Sequence, residues 1–166
     1  MSRTLPPHNS LLRIAKGDGE HFDIAGAKLT WKVKSDATAG RFCFFEQVLL
    51  PGDTVPLHLH AFTESFYVLV GTVTFFGMAG NGSSLQASAG DVVLAQPETF
   101  HGFGNESDEE ARLLSISVPE HQRFFDAIAD ADREAPFAAM NREVALKQVA
   151  AIGADTGTVF AVPSGS

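Results

Sequence analysis

The stretch that decides the fold is residues 52–71, which read GDTVPLHLHAFTESFYVLVG. His58 and His60 are two residues apart, so in an extended strand both imidazoles leave the same face. Glu64 follows a predicted bend and begins an apolar run that ends at Gly71, as expected of a buried strand. Two imidazoles and a carboxylate that converge in the interior are costly to bury, and a divalent metal is their commonest partner.

A second stretch, residues 90–105, adds a third histidine to this set. It reads GDVVLAQPETFHGFGN, with a turn at Gly90, an apolar strand, and a second turn at Pro97 that leads into His101. With His101 the set has three nitrogens and one oxygen, and a six-coordinate ion then keeps two positions for water, substrate or dioxygen. A single strand histidine is usually a hydrogen-bonded core or surface residue. Three of them in glycine-bounded strands at these spacings predict metal ligation instead.

These two stretches resemble the two sequence motifs of the cupin family. The first motif is matched without a gap by Gly52, His58, His60, Glu64 and Gly71. The second motif is matched by Gly90, His101 and Asn105. The chain departs from the family pattern at Pro97, which comes one place late, and at Glu98, where the family usually has glycine. The departure concerns the turn before His101 and leaves the histidine spacing unchanged.

The resemblance implies an all-β fold, an antiparallel jelly-roll β-barrel with short C-terminal helices. The chain is most similar to single-domain cupins of the quercetin 2,3-dioxygenase-like type, in which three histidines and a glutamate hold the metal. Carried over, the ligands are His58, His60, Glu64 and His101, and Glu64 is also the candidate catalytic base. The cofactor is then one divalent transition metal: Mn, Fe, Co, Ni, Cu or Zn.

The expected function is that of a metal-dependent dioxygenase, an oxidoreductase acting on an apolar or aromatic enol-type small molecule. Phenylalanines flank the four candidate ligands and suggest an apolar cavity: Phe62, Phe66, Phe100 and Phe103. No Lys or Arg lies between Arg41 and Arg112, which argues against phosphorylated sugars as substrates. Two alternatives fit the same residues: a metal-dependent isomerase or lyase that needs no oxygen, and a non-catalytic cupin that binds a metal or small ligand.

The hydrophobic pattern predicts three segments along the chain. Residues 1–20 form an N-terminal arm, residues 21–118 form the β-barrel, and residues 119–166 form a helical extension packed on the barrel. Within the extension, one helix is expected from Pro119 and a second from the N-cap Asn141 to a glycine stop at Gly153.

Composition indicates one compact domain. The chain has 166 residues, 45% of them hydrophobic, and a net charge of -8, which argues against nucleic acid or an anionic membrane as partner. Cys43, the single cysteine, is expected to pack as a small hydrophobe, and His121 is expected to face solvent. The first ten residues lack the apolar core of a signal peptide, so a cytoplasmic location is expected. The exposed edges of an open barrel predict a homodimer, with the N-terminal strands contributing to its interface.

Overall fold

The computed structural model describes residues 11–77 and 84–161 and contains two antiparallel sheets facing each other. The six-stranded sheet runs in the spatial order β1 (Glu20–Ile24), β2 (Ala27–Val33), β3 (Cys43–Leu49), β10 (Ala111–Ser117), β5 (Glu64–Val70) and β8 (Val92–Ala95). The five-stranded sheet runs in the order β11 (Thr158–Phe160), β4 (Thr54–His60), β9 (His101–Gly104), β6 (Thr72–Gly77) and β7 (Ser84–Ser88). This architecture confirms the predicted antiparallel jelly-roll barrel.

Two helices follow β10, as predicted: α1 (Pro119–Glu134) and α2 (Arg142–Thr156). Short 3-10 helices occupy Ser35–Thr38 and Phe137–Ala139. Neither α1 nor α2, nor any other helix in the described ranges, is long and apolar enough to cross a membrane. Three ranges lie outside the described part of the chain: residues 1–10, which are half of the predicted N-terminal arm, residues 78–83 and residues 162–166.

Strands β1 and β2 form a hairpin, and the geometry of its turn accounts for the residues there. Ile24 and Ala27 are paired, so only Ala25 and Gly26 connect the strands, and both have positive φ angles, 54° and 84°. Positive φ at both central residues is the geometry that matches the twist of two-residue hairpins. At Gly71 the constraint is steric: a Cβ there would lie 2.7 Å from the Glu110 carbonyl oxygen, so a side chain would clash.

The interior contains two separate apolar clusters. One fills the space between the two sheets and consists of Leu49, Phe66, Val68, Val73, Phe75, Ala87, Ala95, Phe103, Ala111 and Leu113. The other joins the first three strands to α1 and consists of Phe22, Leu29, Trp31, Cys43, Phe45, Phe124, Phe125, Ile128 and Phe137. Cys43 is fully buried, as predicted, and burial raises the pKa of its thiol to about 12. The second cluster holds α1 against the six-stranded sheet.

Helix α2 begins as predicted but ends later. The Asn141 side chain accepts a hydrogen bond from the Val144 amide at 2.9 Å, which caps the helix. The predicted stop at Gly153 was wrong, since the helix continues to Thr156 and Gly157 adopts the left-handed conformation after it. Gly153 lies instead where a Cβ would come within 2.6 Å of the Thr158 carbonyl oxygen. Its lack of a side chain allows the chain to turn back on itself.

Strand β11 was not predicted from the sequence. It has three residues and pairs antiparallel with β4, placing Thr158 opposite His60 and Phe160 opposite His58. Three residues are too few to express a strand period, so the pattern alone does not identify them. The C-terminal segment therefore covers the edge of the strand that carries two of the predicted site residues.

Candidate metal centre

The structure brings the four predicted site residues together from both sheets. His58 and His60 lie on the inward face of β4, and His101 on β9 is paired directly opposite His58. Glu64 is the first residue of β5 in the other sheet. Their potential ligand atoms all lie within 4.8 Å of one another, and all four residues are buried. The period of two along β4 and the register between β4 and β9 produce this convergence.

Each of the three histidines is oriented by a backbone carbonyl. The Nδ1 atoms of His58, His60 and His101 lie 2.8, 2.7 and 2.9 Å from the carbonyl oxygens of Pro56, Phe62 and Thr99. A carbonyl only accepts, so Nδ1 carries the hydrogen and a neutral ring keeps its lone pair on Nε2. Backbone carbonyls commonly orient metal-binding histidines in this way.

The centre fits a divalent cation because acceptor atoms face each other across it. The Nε2 atom of His60 lies 3.1 Å from Glu64 Oε2, and the Nε2 atom of His101 lies 3.5 Å from the same oxygen. His101 Nε2 is buried and makes no hydrogen bond among the described residues. Lone pairs of neutral imidazoles and of a carboxylate repel one another at these distances unless a proton or a cation lies between them. Three nitrogens and one carboxylate oxygen suit a transition-metal ion.

Burial and neighbouring charges set the protonation of the centre. Burial, followed by repulsion from His101, lowers the pKa of His58 from its ordinary value of 6.5 to about 4. Burial alone would raise the pKa of Glu64, but His121, His101, His60 and Ser115 together lower it well below 4.5. For His101, burial would lower the pKa, but the Glu64 carboxylate 3.5 Å away and the Thr99 carbonyl outweigh it, and the pKa is raised. A neutral His58 beside an ionised Glu64 is the state that a metal requires.

The two carboxylate oxygens of Glu64 have different partners. Oε2 faces His60 and His101, whereas Oε1 accepts a hydrogen bond from Ser115 Oγ on β10. Nδ1 of His121, in the first turn of α1, lies 3.5 Å from Oε1 and is hydrogen-bonded with Ser117 Oγ at 3.1 Å. One oxygen thus faces the centre and the other faces the helix.

The prediction that His121 faces solvent was wrong. Its side chain is only 5% exposed and packs edge-on against Phe45, with Phe125 and Phe62 on other sides. Burial lowers its pKa below the ordinary 6.5, although the charge of Glu64 opposes that change. His121 therefore belongs to the surroundings of the centre and lies between the centre and the apolar cluster under α1.

Aromatic rings surround the histidines, as the sequence suggested. Phe62 stacks on the His60 ring with centroids 3.9 Å apart and planes inclined by 7°. Phe66 lies 6.0 Å from the His101 ring, and Phe160 of β11 lies 5.8 Å from the His58 ring. Phe103 packs in the apolar cluster between the sheets, against Phe66. The contribution of Phe160 was not predicted, because it depends on the pairing of β11 with β4.

The turn before His101 accommodates the residue that departs from the family pattern. Glu98 adopts a positive φ of 62°, the conformation that a glycine would adopt without strain, and its amide donates to the His60 carbonyl at 2.8 Å. The last motif residue, Asn105, is buried and donates from its side chain to the carbonyls of Leu49 and Glu109. Asn105 therefore fixes the loop after β9 and lies outside the group of potential ligands.

Comparison with known families and structures agrees with this geometry. Residues 45–117 match the family model described as the cupin domain. This range contains all four candidate ligands and ends at Ser117, before His121. No curated protein matches the sequence.

Solved structures share the fold at low sequence identity. The polyketide cyclase RemF from Streptomyces resistomycificus aligns with a TM-score of 0.59 and 20% identity, over 66% of this chain and 80% of that one. A predicted oxalate decarboxylase from Thermotoga maritima aligns with a TM-score of 0.58 and 21% identity, over 64% and 98%. A cupin 2 conserved barrel domain protein from Salinispora arenicola aligns with a TM-score of 0.50 and 18% identity, over 79% and 98%. At these identities the likeness establishes the fold alone.

Proposed function

From the premise that the chain carries a cupin domain, we propose that it is a metal-dependent enzyme, with a dioxygenase as the leading reaction type. The observation that carries this proposal is the buried set of three imidazole nitrogens and one carboxylate oxygen within 4.8 Å. His58, His60, Glu64 and His101 would hold one divalent transition metal. When bound, such an ion polarises a substrate oxygen and, if it is redox-active, activates dioxygen.

The protein's own residues position the ligands and move a proton. Three backbone carbonyls hold the imidazoles with Nε2 turned inward. Glu64 is the acceptor for the hydroxyl proton of an enol-type substrate, and its lowered pKa means that the carboxylate is ionised before the substrate arrives. The proton moves from the substrate oxygen to a carboxylate oxygen, and the substrate becomes an enolate.

His121 and Ser115 are the residues that orient Glu64. Both act on Oε1, which leaves Oε2 as the oxygen that faces the histidines. A carboxylate held at one oxygen loses little freedom when the other oxygen binds a metal, so the site is preorganised. His121 acts through Glu64 and is a positioning residue.

The surroundings favour an apolar or aromatic substrate. The ring of Phe62 stacks on His60, and Phe160 lies beside His58. Arg112, the first cation after Arg41, lies on the outward side of β10, where it pairs with Glu46 and Glu110. A phosphorylated substrate would need cations or a helix N-terminus near the centre.

A second candidate is a metal-dependent isomerase or lyase that uses no oxygen. Glu64 paired with His121 favours it, because a carboxylate and an imidazole in contact are a common arrangement for proton transfer. The same residues then act on a substrate carbon acid, and no oxidant takes part. A third hypothesis is a non-catalytic cupin that only binds a metal or a small ligand.

Oxygen consumption by metal-analysed protein tests these alternatives. We expect uptake of dioxygen with a flavonol or a 1,3-diketone, and loss of that uptake in Glu64→Gln protein that still contains metal. Product formation under nitrogen would replace the dioxygenase with the isomerase or lyase. Binding of the flavonol or diketone by calorimetry, with no product formed, would support the hypothesis of a non-catalytic binding protein. His21→Gln is the matched control, because His21 is exposed and hydrogen-bonds Thr30 far from the centre.

A further inference from the structure

Thr158, the first residue of β11, carries a buried hydroxyl that has no hydrogen-bond partner. Its side chain is 3% exposed, and its Oγ1 atom makes no hydrogen bond among the described residues. Two other buried side-chain atoms in that part of the chain share this property. His101 Nε2 belongs to the candidate metal centre, and Arg112 Nε belongs to a guanidinium whose outer nitrogens pair with Glu46 and Glu110. Neither the centre nor an ion pair accounts for the Thr158 hydroxyl.

Strand register places this hydroxyl beside the centre. Thr158 is paired opposite His60, and Phe160 is paired opposite His58, so the side chains of each pair leave the same face of the sheet. For the two histidines that face is the inward one, and Val159 between the other two is 48% exposed. The Cβ atoms of opposite residues lie about 5 Å apart. Thr158 is therefore a direct neighbour of His60 on the face where the ligand atoms converge.

Contacts with α2 and β4 hold β11 in a fixed position. The Gly157 amide donates to the Gly153 carbonyl at the end of α2, and a Cβ at Gly153 would lie 2.6 Å from the Thr158 carbonyl oxygen. After the strand, the Ala161 amide donates to the Leu57 carbonyl at 2.9 Å. Groups carried by such rigid elements are placed more precisely than groups on loops, as a binding site requires.

On the basis of the function proposed above, we propose that Thr158 is a substrate-binding residue whose hydroxyl forms a hydrogen bond with an oxygen of the enol-type substrate. A hydroxyl both donates and accepts, so it suits a carbonyl as well as a hydroxyl oxygen. The half-buried Phe160 ring, 5.8 Å from the His58 ring, lies on the same face for the apolar part of the molecule. The substrate class is then a small apolar molecule with two oxygens, one at the centre and one at Thr158.

The energetics of the free protein support a ligand as the missing partner. A buried hydroxyl without a partner destabilises the fold. Valine has nearly the same shape as threonine and favours strands at least as strongly, so packing alone favours valine at position 158. A hydroxyl that is used only when substrate is bound explains the threonine, since binding sites commonly keep such residues at the expense of stability. A permanently bound water as the partner predicts the opposite effect of a valine substitution on stability.

Urea unfolding of the full chain, with chelator and without ligand, is the first test. Thr158→Val should leave the unfolding midpoint unchanged or raise it, because valine removes an unpaired buried hydroxyl at nearly constant shape. Thr38→Val is the matched control and should lower the midpoint, because the Thr38 hydroxyl accepts from the Phe42 amide and donates to the Ser35 carbonyl, both at 3.1 Å. A midpoint lowered as far by Thr158→Val as by the control would overturn the proposal, because the hydroxyl would then have a permanent partner.

Calorimetry with acetylacetone, a small 1,3-diketone, and Co²⁺-loaded protein is the second test. Thr158→Val should bind acetylacetone about 3- to 10-fold more weakly than the natural protein, as expected for the loss of one hydrogen bond. Thr158→Ser keeps the hydroxyl and should retain most of the affinity, and Thr38→Val should retain all of it. Thr158→Ala removes the hydroxyl from a smaller side chain and should be weaker than Thr158→Ser. Equal affinities of the natural protein and Thr158→Val, at equal Co²⁺ content, would overturn the proposal.

The binding test also separates this proposal from the proposed function. Acetylacetone that binds the natural protein and Thr158→Val equally would remove the role of Thr158 and leave the proposed function intact. A natural Co²⁺-loaded protein that does not bind acetylacetone would overturn the enol-type substrate, and the contact with Thr158 would fall with it. Weaker binding by Thr158→Val in a protein that consumes no dioxygen would support the contact and contradict only the dioxygenase.

Discussion

The two faces of strand β10 have opposite characters. Its inward face carries Ser115 and Ser117, both buried, while its outward face carries Leu114 and Ile116. An antiparallel sheet with one solvated face normally has the reverse pattern, apolar inside and polar outside. Polar groups in the interior require partners, and apolar groups on the surface require cover. The inward serines have their partners in Glu64 and His121, at and beside the candidate metal centre, whereas the outward Leu114 and Ile116 reach the surface.

The inversion is local, and its limits follow the two apolar clusters. Lower on β10, Leu113 is fully buried and packs in the cluster between the sheets. On β5, Glu64, Phe66 and Val68 all face inward. Glu64 lies beside the polar side chains of the centre, whereas Phe66 and Val68 pack in the apolar cluster between the sheets. The inward polar side chains of β5 and β10 lie between the two apolar clusters, in the same region as the histidines of the cupin motifs. The rest of the interior packs as an ordinary core.

The largest expected effect is the loss of metal from variants of the inner face. His101→Ala removes a buried Nε2 that has no other hydrogen-bond partner among the described residues, so most of the bound metal should be lost. His58→Ala and His60→Ala should behave in the same way, whereas Glu64→Gln should keep more metal than any of them. The measurement is elemental analysis after dialysis, with His21→Ala as the control. Full metal occupancy in His101→Ala would remove that residue from the ligand set.

The candidate ligands could be predicted from the sequence because their positions depend on short-range rules. A spacing of two places His58 and His60 on the same face of their strand. The glycines around the other two strands indicate that these strands begin near Glu64 and His101. The face of β10 could not be predicted in this way. Leu113, Ser115 and Ser117 alternate with Leu114 and Ile116 along the strand, and polarity alone would place Ile116 inside.

His121 was missed because its neighbours in the sequence, Glu120 and Gln122, indicate a solvated helix start. A helical signal was nevertheless present: His121 precedes Phe124 and Phe125 by three and four residues and so lies on the apolar face of α1. The pairing of β11 with β4 depends on where α2 ends, which is a tertiary property. The sequence places the outward apolar residues in strands but does not indicate which face of the strand they occupy, because burial depends on the opposite sheet.

The second expected effect compares neighbouring residues on β10. Leu113→Ala should lower the free energy of unfolding by about 2–5 kcal/mol, because it leaves a cavity in the core. Leu114→Ala should cost less in the single chain, because Leu114 is only partly buried. Urea unfolding measures both, and an equal cost at the two positions would contradict the contrast between the faces.

The third effect is the pH dependence of the metal-free protein. His58 has a pKa of about 4 in the folded state and an ordinary value of 6.5, so the unfolded state binds more protons between these values. Its contribution to stability is present above pH 6.5 and is lost as the pH falls toward 4, by up to about 3 kcal/mol. The low pKa of Glu64 acts in the same direction below pH 4.5, and the raised pKa of His101 acts in the opposite direction.

Comparison with a second protein isolates the part due to His58. Chelated natural protein should lose more stability between pH 6.5 and 4 than chelated His58→Gln, measured by urea unfolding. The two proteins share the other groups of the centre, so the difference reports position 58. Parallel curves would show that His58 is not held neutral by burial.

The smallest expected effect concerns the boundary between the centre and the helix. His121→Phe keeps the ring volume but removes the nitrogen 3.5 Å from Glu64 Oε1. Loss of such a supporting contact commonly weakens metal binding about 10- to 100-fold, and we expect the lower end because Ser115 still holds the same oxygen. Calorimetry with Co²⁺ measures the affinity, and the visible absorption of the bound ion reports its ligand geometry.

Three controls separate positioning of Glu64 from mere support of the fold. His121→Asn keeps a polar side chain that can donate toward Oε1 and should recover part of the affinity, while His21→Phe should change neither affinity nor spectrum. A purely structural role would lower the unfolding temperature of His121→Phe and leave the Co²⁺ spectrum unchanged. Loss of one nitrogen ligand, seen by X-ray absorption, would instead make His121 a ligand. A shifted spectrum with the nitrogen count retained is the result expected if the helix holds one oxygen of Glu64 and the other is left for the metal.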